Sequence, residues 1–265
     1  MPDTERTVAQ ALDLPFQQAI DFFKQKARVP TEVWTDVWRT AHAHSFMVAG
    51  AATDALLEDF QSAITKALET GTTLDTFRTD FDAIVAKHGW EHTGSAGWRS
   101  RIIYETNLAA AYSAGRYDEL TDPDVLRHFP YWTYVHSGSS HPRMQHLAWD
   151  GLSLRADDAF WDAHYPPNGW NCGCRVMASS DEDLGRRGKS GPDPSPPVAN
   201  RMWRDKNSGE IHTLPVGIDP GFDYNVGKAW KAGPQALPVR GPRWEPVGAA
   251  PAVVVPPGGD PAALK

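Results

Sequence analysis

The chain has 265 residues, of which 41% are hydrophobic and 22% charged, and it carries a formal charge of −7. That length suits one large domain or two small ones, and two cysteines exclude a disulfide-built secreted scaffold. The acidic balance does not call for a basic face gripping a nucleic-acid backbone. A mean hydropathy of −0.47, with no apolar run of about 18 residues, excludes a transmembrane helix. The opening MPDTERTVAQALDLPF is not a secretory signal, because it has early acids and no apolar core.

In chain order, Leu14 to Ala27 is a short apolar-periodic run that predicts a helix ending before Val29-Pro30. Thr31 is then an N-cap for a helix over 31–50, with Trp34, Val37, Trp38, Ala41, Ser45 and Val48 on one face and Gly50 as its stop. The cleanest helix runs from Thr53 to Glu69, where Leu56, Leu57, Phe60, Ile64, Ala67 and Leu68 recur at helical spacing before Gly71. Another starts near Thr72 or Thr73, carries Leu74, Phe77, Phe81, Ile84 and Val85, and closes at Gly89. A long helix follows from about Trp98 to Leu120. Its small residues, Gly115 among them, permit close approach of another element, and Asn107 needs hydrogen-bond partners that Arg116 can help supply.

Pro123 is read as the end of the helical region. YWTYVHS, from Tyr131, alternates as a β-strand. Residues 143–149 predict a short helix, and Asp150-Gly151 a tight turn. DDAFWDAH predicts a helical turn with Asp157 as cap. PPNG reverses the chain, and CRVMAS returns as a strand beside YWTYVHS. The Pro-, Gly- and charge-rich stretch 181–200 reads as a linker or exposed loop, with Arg186, Arg187 and Lys189 a small solvated cluster. RMWRDKNSGEIHTLPVG predicts a β-hairpin around Asn207-Ser208-Gly209. From Lys231 onward, 8 prolines and 5 glycines in 35 residues predict a flexible tail. The fold class is therefore α+β. A helical N-terminal region (1–97) packs on a small irregular domain (98–180) with a short antiparallel sheet. The linker or exposed loop (181–200), the hairpin and cap (201–230) and the tail (231–265) follow.

The segment 141–175 concentrates the chemistry: His141, His146 and His164, three tryptophans, and the chain's two cysteines, Cys172 and Cys174. A bond between those two cysteines closes a very small, strained ring, so reduced thiols are expected. His141, His146, Cys172 and Cys174 supply the four N or S ligands of a structural zinc site, in His-x4-His and Cys-x-Cys spacings that are not the usual finger spacings. His136 and His164 are further candidates, and packing without metal is the alternative. His146 with Asp150, or His141 with Cys172, are candidate acid–base or nucleophilic pairs. The chain has no nucleophile elbow, HExxH, P-loop or Rossmann glycine set, so no catalytic residues are assigned. Trp161, Pro166, Pro167 and Trp170 rigidify a turn and fill space, Asp150-Gly151 supplies a turn with positive φ, and Arg175 can clamp a carboxylate.

Several pieces together resemble the phage Mu F-like head morphogenesis family, the minor capsid proteins of tailed phages and related prophages. They are the 34–50 segment ending in FMVAG, IYETNLAAAYSAGR (103–116, with Thr106, Asn107 and Arg116), HLAWDG (146–151), DDAFW (157–161), PPNGWNCGCRV (166–176) and IDPGFDYNVG (218–227). The resemblance spans roughly residues 14–230. It implies a non-enzymatic, few-copy head protein, located in the virion and in the host cytoplasm during assembly. The implied partners are the portal protein, the major capsid or scaffolding protein, and phage DNA; no membrane partner is implied. A metal- or cysteine-dependent enzyme carried in the head, or a DNA-binding accessory, are the competing expectations. Some relatives carry Cys-x-x-Cys where this chain has Arg143 and His146, so only His146 can replace a metal-binding cysteine there.

Overall fold

The computed structural model describes residues 16–234. The first residues of the Leu14 run and all but the start of the 231–265 tail lie outside the described residues. Among the described residues are nine α-helices, two 3-10 turns and seven short strands, an α+β fold. No helix among them is long and apolar enough to cross a membrane.

The first core is helical. Helix α1 (Gln17–Lys24) buries Ala19, Ile20, Phe22 and Phe23. Helix α2 (Asp54–Thr70) starts on Thr53, whose side chain accepts from the Leu56 N–H, and ends on Gly71 in the left-handed conformation. Helix α3 (Leu74–His88) repeats the pattern with Thr73 and Gly89. A hydroxyl cap satisfies an orphan N–H, and a left-handed glycine lets the chain leave the helix without a Cβ clash. The expected stripes are core: Leu56, Leu57, Phe60, Ile64, Phe77, Phe81 and Ile84 are all buried together.

Helix α4 (Ala96–Leu120) begins on Ser95 and runs through both halves of the molecule. Its Ile103, Ala111 and Ala114 belong to the helical core, whereas Leu120 and the partly buried Tyr117 belong to a second, aromatic core. Gly115 is where α1 crosses. A Cβ added there would sit 2.7 Å from the Ala19 amide nitrogen and 3.0 Å from the Phe16 ring. Pro123 does not end the helical region. It occupies the first turn of α5 (Pro123–His128), capped by Asp122, the position where a missing N–H costs nothing.

The second core lies on a three-stranded antiparallel sheet ordered β4–β3–β5. Its strands are β3 (Tyr131–Val135), β4 (Ser153–Arg155) and β5 (Arg175–Ser179). Trp132 lies opposite Leu154 and Ala178. The alternation in β3 sends Trp132 and Tyr134 to the aromatic side. On the other side Thr133 Oγ1 lies 2.9 Å from Ser153 Oγ and 2.8 Å from Ser179 Oγ, one buried hydroxyl from each strand. The following segment forms helix α8 (Asp181–Arg186), with buried Leu184 and a Ser180–Asp183 capping box. Asp193 Oδ2 accepts the Ser153 N–H at 2.8 Å. Two short helices connect the strands, α6 (Met144–Ala148) and α7 (Trp161–His164). Asp157 pairs with Arg155 and does not cap α7; it is Asp158 that accepts the Phe160 N–H, at 2.8 Å.

The 31–50 helix is not formed. This segment contains two 3-10 turns, Trp34–Asp36 and Arg39–Ala43, followed by β2 (Ser45–Phe46), which pairs in parallel with β1 (Ala27–Arg28). Three causes combine. Thr31, Val33, Thr35, Val37 and Thr40 are β-branched, which weakens helix propensity. The Asp36 carboxylate takes the N–H groups of Glu32 and Val33. Finally, Trp34 and Trp38 turn onto Trp203 of the hairpin, Trp38 stacking on it at 5.7 Å. That hairpin, β6 (Asn200–Arg204) with β7 (Ile211–Pro215), turns where expected, with the Gly209 N–H donating to the Asp205 carbonyl. Helix α9 (Val226–Lys231) closes against α4, where Gly227 meets Tyr117.

Candidate functional site

The densest chemical grouping among the described residues is His146, Cys172 and Cys174. One donor atom from each lies within 4.8 Å of the others, and all three residues are buried. The His146 Nδ1 is 3.7 Å from Cys172 Sγ and 3.7 Å from Cys174 Sγ. Both thiols are free.

Local structure delivers each group. His146 sits on α6, its ring stacked on Trp149 one turn later. Its Nε2 lies 2.8 Å from the Gly217 carbonyl. A carbonyl only accepts, so Nε2 carries the proton and Nδ1 presents its lone pair to the sulfurs. The two thiols come from the loop that leads into β5. The Cys172 N–H donates to the Gly169 carbonyl, and Asn171, at φ 55°, makes the bend. Below the sulfurs, Tyr134 donates its hydroxyl to Asn168 Oδ1 at 3.0 Å. Burial and the neighbouring thiols push the Tyr134 phenol well above its ordinary range.

The two thiols do not ionise alike. The Cys172 thiol hydrogen-bonds to Cys174 and pulls Cys174 down; Cys172 is itself pushed up by that same bond and by burial. The pair therefore gives up its first proton more easily than its second.

A clamp holds the loop in place. Arg143 Nη2 donates to Asp219 Oδ2 and to the Trp170 carbonyl, both at 2.8 Å. The Trp170 N–H also reaches Asp219 Oδ2, at 3.0 Å. Gly169 leaves the room, since a Cβ there would fall 2.3 Å from that same oxygen.

His141 is not in the grouping: it is exposed, with Nδ1 3.1 Å from Ser140 Oγ. His136 Nδ1 accepts from the Gly138 N–H, and the His136 N–H donates to Asp150 Oδ1 at 2.8 Å, so Asp150 serves its own turn, with Gly151 at φ 78°. His164 lies stacked on Phe160 with Nδ1 on the Phe160 carbonyl. Trp161 is buried and donates Nε1 to the Arg155 carbonyl. Pro166 and Pro167, joined by a cis peptide bond, are buried beside the thiol loop. Arg175 is exposed on β5. Asn107 and Arg116 do not share a network: Asn107 Nδ2 donates to the Ile103 carbonyl and Arg116 pairs with Glu119, each within α4.

The comparisons with known proteins cover this same region. The family model described as "Phage Mu protein F like protein" matches residues 58–177, from α2 to β5 and including His146, Cys172 and Cys174. A protein of Escherichia phage Mu, "Putative capsid assembly protein F", is 31% identical over 264 residues, an alignment taking in 89% of this chain and 60% of that protein. The chain belongs to the phage Mu protein F-like family. A second relative, "Mu-like prophage FluMu F protein" of Haemophilus influenzae, is 31% identical over 219 residues, 74% of this chain and 52% of its own length. This Mu F-like chain thus spans between half and three fifths of the curated relatives it matches. No solved structure matches it.

Two features of the Mu F-like fold escape a sequence reading. Asp219 and Gly217, which hold Arg143 and His146, lie more than 70 residues away from them; the only local signal is the Asp-Pro-Gly turn at 219–221. The second is a cavity of about 120 Å³ between α4, the 42–49 segment and the 220–226 turn, lined in part by Lys26, Ser45, Arg99 and Thr106. Lys26 Nζ donates to the His42 carbonyl at 2.7 Å, and Arg99 lies over the Trp90 ring. Neither buried cation makes an ion pair with a described carboxylate. Burial brings the Lys26 amine down to about 7.

Proposed function

We propose that this chain is a head-assembly component of a phage or prophage, non-enzymatic, working in the capsid and carried in the virion. The observation that carries this reading is the 31% identity to a putative capsid assembly protein, taking in 89% of the chain. The site geometry supports a scaffold over a catalyst. His146 is 2% exposed and each cysteine 6%, so no nucleophile of the grouping reaches a substrate-sized surface. A reactive cysteine needs access as well as thiolate character. Rigid packing does something else here: it fixes the loop 166–174 against the start of α6 and the 217–222 turn, and so fixes the shape of the surface above.

We further propose that the partners are other head proteins, with the portal protein or the inner face of the shell as the docking site. The net charge of −7 repels packaged DNA at long range, so anchoring falls to specific protein contacts. The test is co-expression with the portal, major capsid and scaffolding proteins, followed by affinity purification at 0.5 M salt. Retention on one of them supports the reading. A monomer that associates with none of the three, and is missing from purified heads, overturns it.

A further inference from the structure

We propose that His146, Cys172 and Cys174 together bind one zinc-class metal ion. The site differs from a four-ligand finger and excludes His141.

Three independent observations converge. The first is geometric. A tetrahedral ion with a nitrogen at about 2.0–2.1 Å and sulfurs at about 2.3 Å holds N and S about 3.6 Å apart. Both N···S distances here are 3.7 Å, close to the spacing that a shared ion sets. The second is the tautomer. The Gly217 carbonyl holds the Nε2 proton at 2.8 Å, the backbone partner that orients a ligating histidine and frees Nδ1 for the metal. The third is access. Of the three ligands Cys172 alone borders a cleft, of about 320 Å³, that also touches Gly173, Thr106 and Asn171, so an ion reaches the grouping from the Cys172 side.

The donor set selects the ion. Two thiolates and one imidazole suit zinc and disfavour magnesium or calcium, which want oxygen. Binding releases the protons still held by the two thiols and forms two metal–sulfur bonds and one metal–nitrogen bond, with no change of oxidation state. The ion ties α6 to the start of β5, two segments that share no regular hydrogen bonding across the 26 and 28 residues between the ligands.

The experiment uses the full chain, purified without chelator and then stripped. Total thiol is counted under denaturing conditions to establish that both cysteines are reduced. Cobalt(II) is titrated into the stripped protein, and zinc is then added in competition. The expected result is one equivalent of cobalt, with a thiolate-to-cobalt charge-transfer band in the near ultraviolet, the strong visible bands of a four-coordinate ion, and displacement by one equivalent of zinc. Cys172→Ser, Cys174→Ser and His146→Ala each weaken binding at least tenfold, and His141→Ala leaves it unchanged. Failure of wild-type protein with two reduced thiols to give the charge-transfer band overturns the proposal, as does a band that survives His146→Ala or disappears in His141→Ala. The wild-type readout is spectroscopic, so it stands even where a variant folds poorly.

Discussion

Arg143 and Asp219, 76 residues apart, meet at 2.8 Å and hold the thiol-bearing loop between them. Asp219 Oδ2 also receives the Trp170 N–H, so one carboxylate oxygen joins the start of α6, the 166–174 loop and the 217–222 turn. Removing it in Asp219→Ala leaves the Trp170 N–H without its acceptor and the Arg143 guanidinium with the Trp170 carbonyl alone, at a cost of about 1–3 kcal/mol. The ion pair itself is about one-third exposed and contributes less, about 0.5–1 kcal/mol by a double-mutant cycle with Arg143→Ala. Urea denaturation of the four proteins measures both. A coupling near zero with a large single-mutant loss assigns the effect to the Trp170 hydrogen bond.

Gly115 and Gly97 test packing against propensity in the same helix. Nothing lies within 4 Å of a Cβ at Gly97, so Gly97→Ala gains up to about 1 kcal/mol in the usual way. At Gly115 the same change drives a methyl into the backbone of α1, and overpacking reverses the sign to a loss of about 1–3 kcal/mol. Thermal or denaturant melts of the two variants should move in opposite directions.

Stability should climb from acid to mildly alkaline pH. The partly buried His42 is held down to about 4 by burial and the Lys26 charge. Its unfolded form takes up a proton near 6.5 while the native form does not, so stability is lost as pH falls from about 6.5 to 4. Lys26 is pulled from 10.5 to about 7 by burial, so the unfolded chain again holds more protons and stability rises between those values. Arg99 is also buried here, and no described carboxylate pairs with Lys26 to offset the trend. Lys26→Met should therefore stabilise by about 1–3 kcal/mol at pH 6, with a smaller gain at pH 9. A gain independent of pH places the effect in packing alone.

The hydroxyl triad behind the sheet gives a fourth test. Thr133→Val removes the central partner of Ser153 and Ser179, both fully covered. The expected loss is about 1–3 kcal/mol, recovered in part by Ser179→Ala in the same chain, since the second change removes an orphaned hydroxyl. Equilibrium denaturation of single and double variants decides it.

The sequence shows clearly whatever is local. Thr53, Gly71, Thr73 and Gly89 punctuate α2 and α3 because capping and left-handed exits depend on a single residue's chemistry. The YWTYV strand and the hairpin turn at 207–209 are legible for the same reason. The 31–50 segment misleads because its helical spacing is real but serves another purpose. Trp34 and Trp38 lie on the Trp203 ring of a hairpin more than 160 residues away, and tertiary stacking overrides a weak local preference. At the site, His146 and the two cysteines stand out as residue types. The separation of His146 from His141 is set by Gly217 and Asp219, more than 70 residues away, whose only local signal is the Asp-Pro-Gly turn. The buried Lys26 and Arg99 are invisible in a composition that reads every cation as solvated.

Helix α4 passes unbroken through both cores, anchored at Ile103, Ala111 and Ala114 on one side and at Leu120 on the other. A rod shared in this way cannot fray in one half while staying ordered in the other. The two halves are committed to melting together, and pulling on the sheet is felt at the N-terminal bundle.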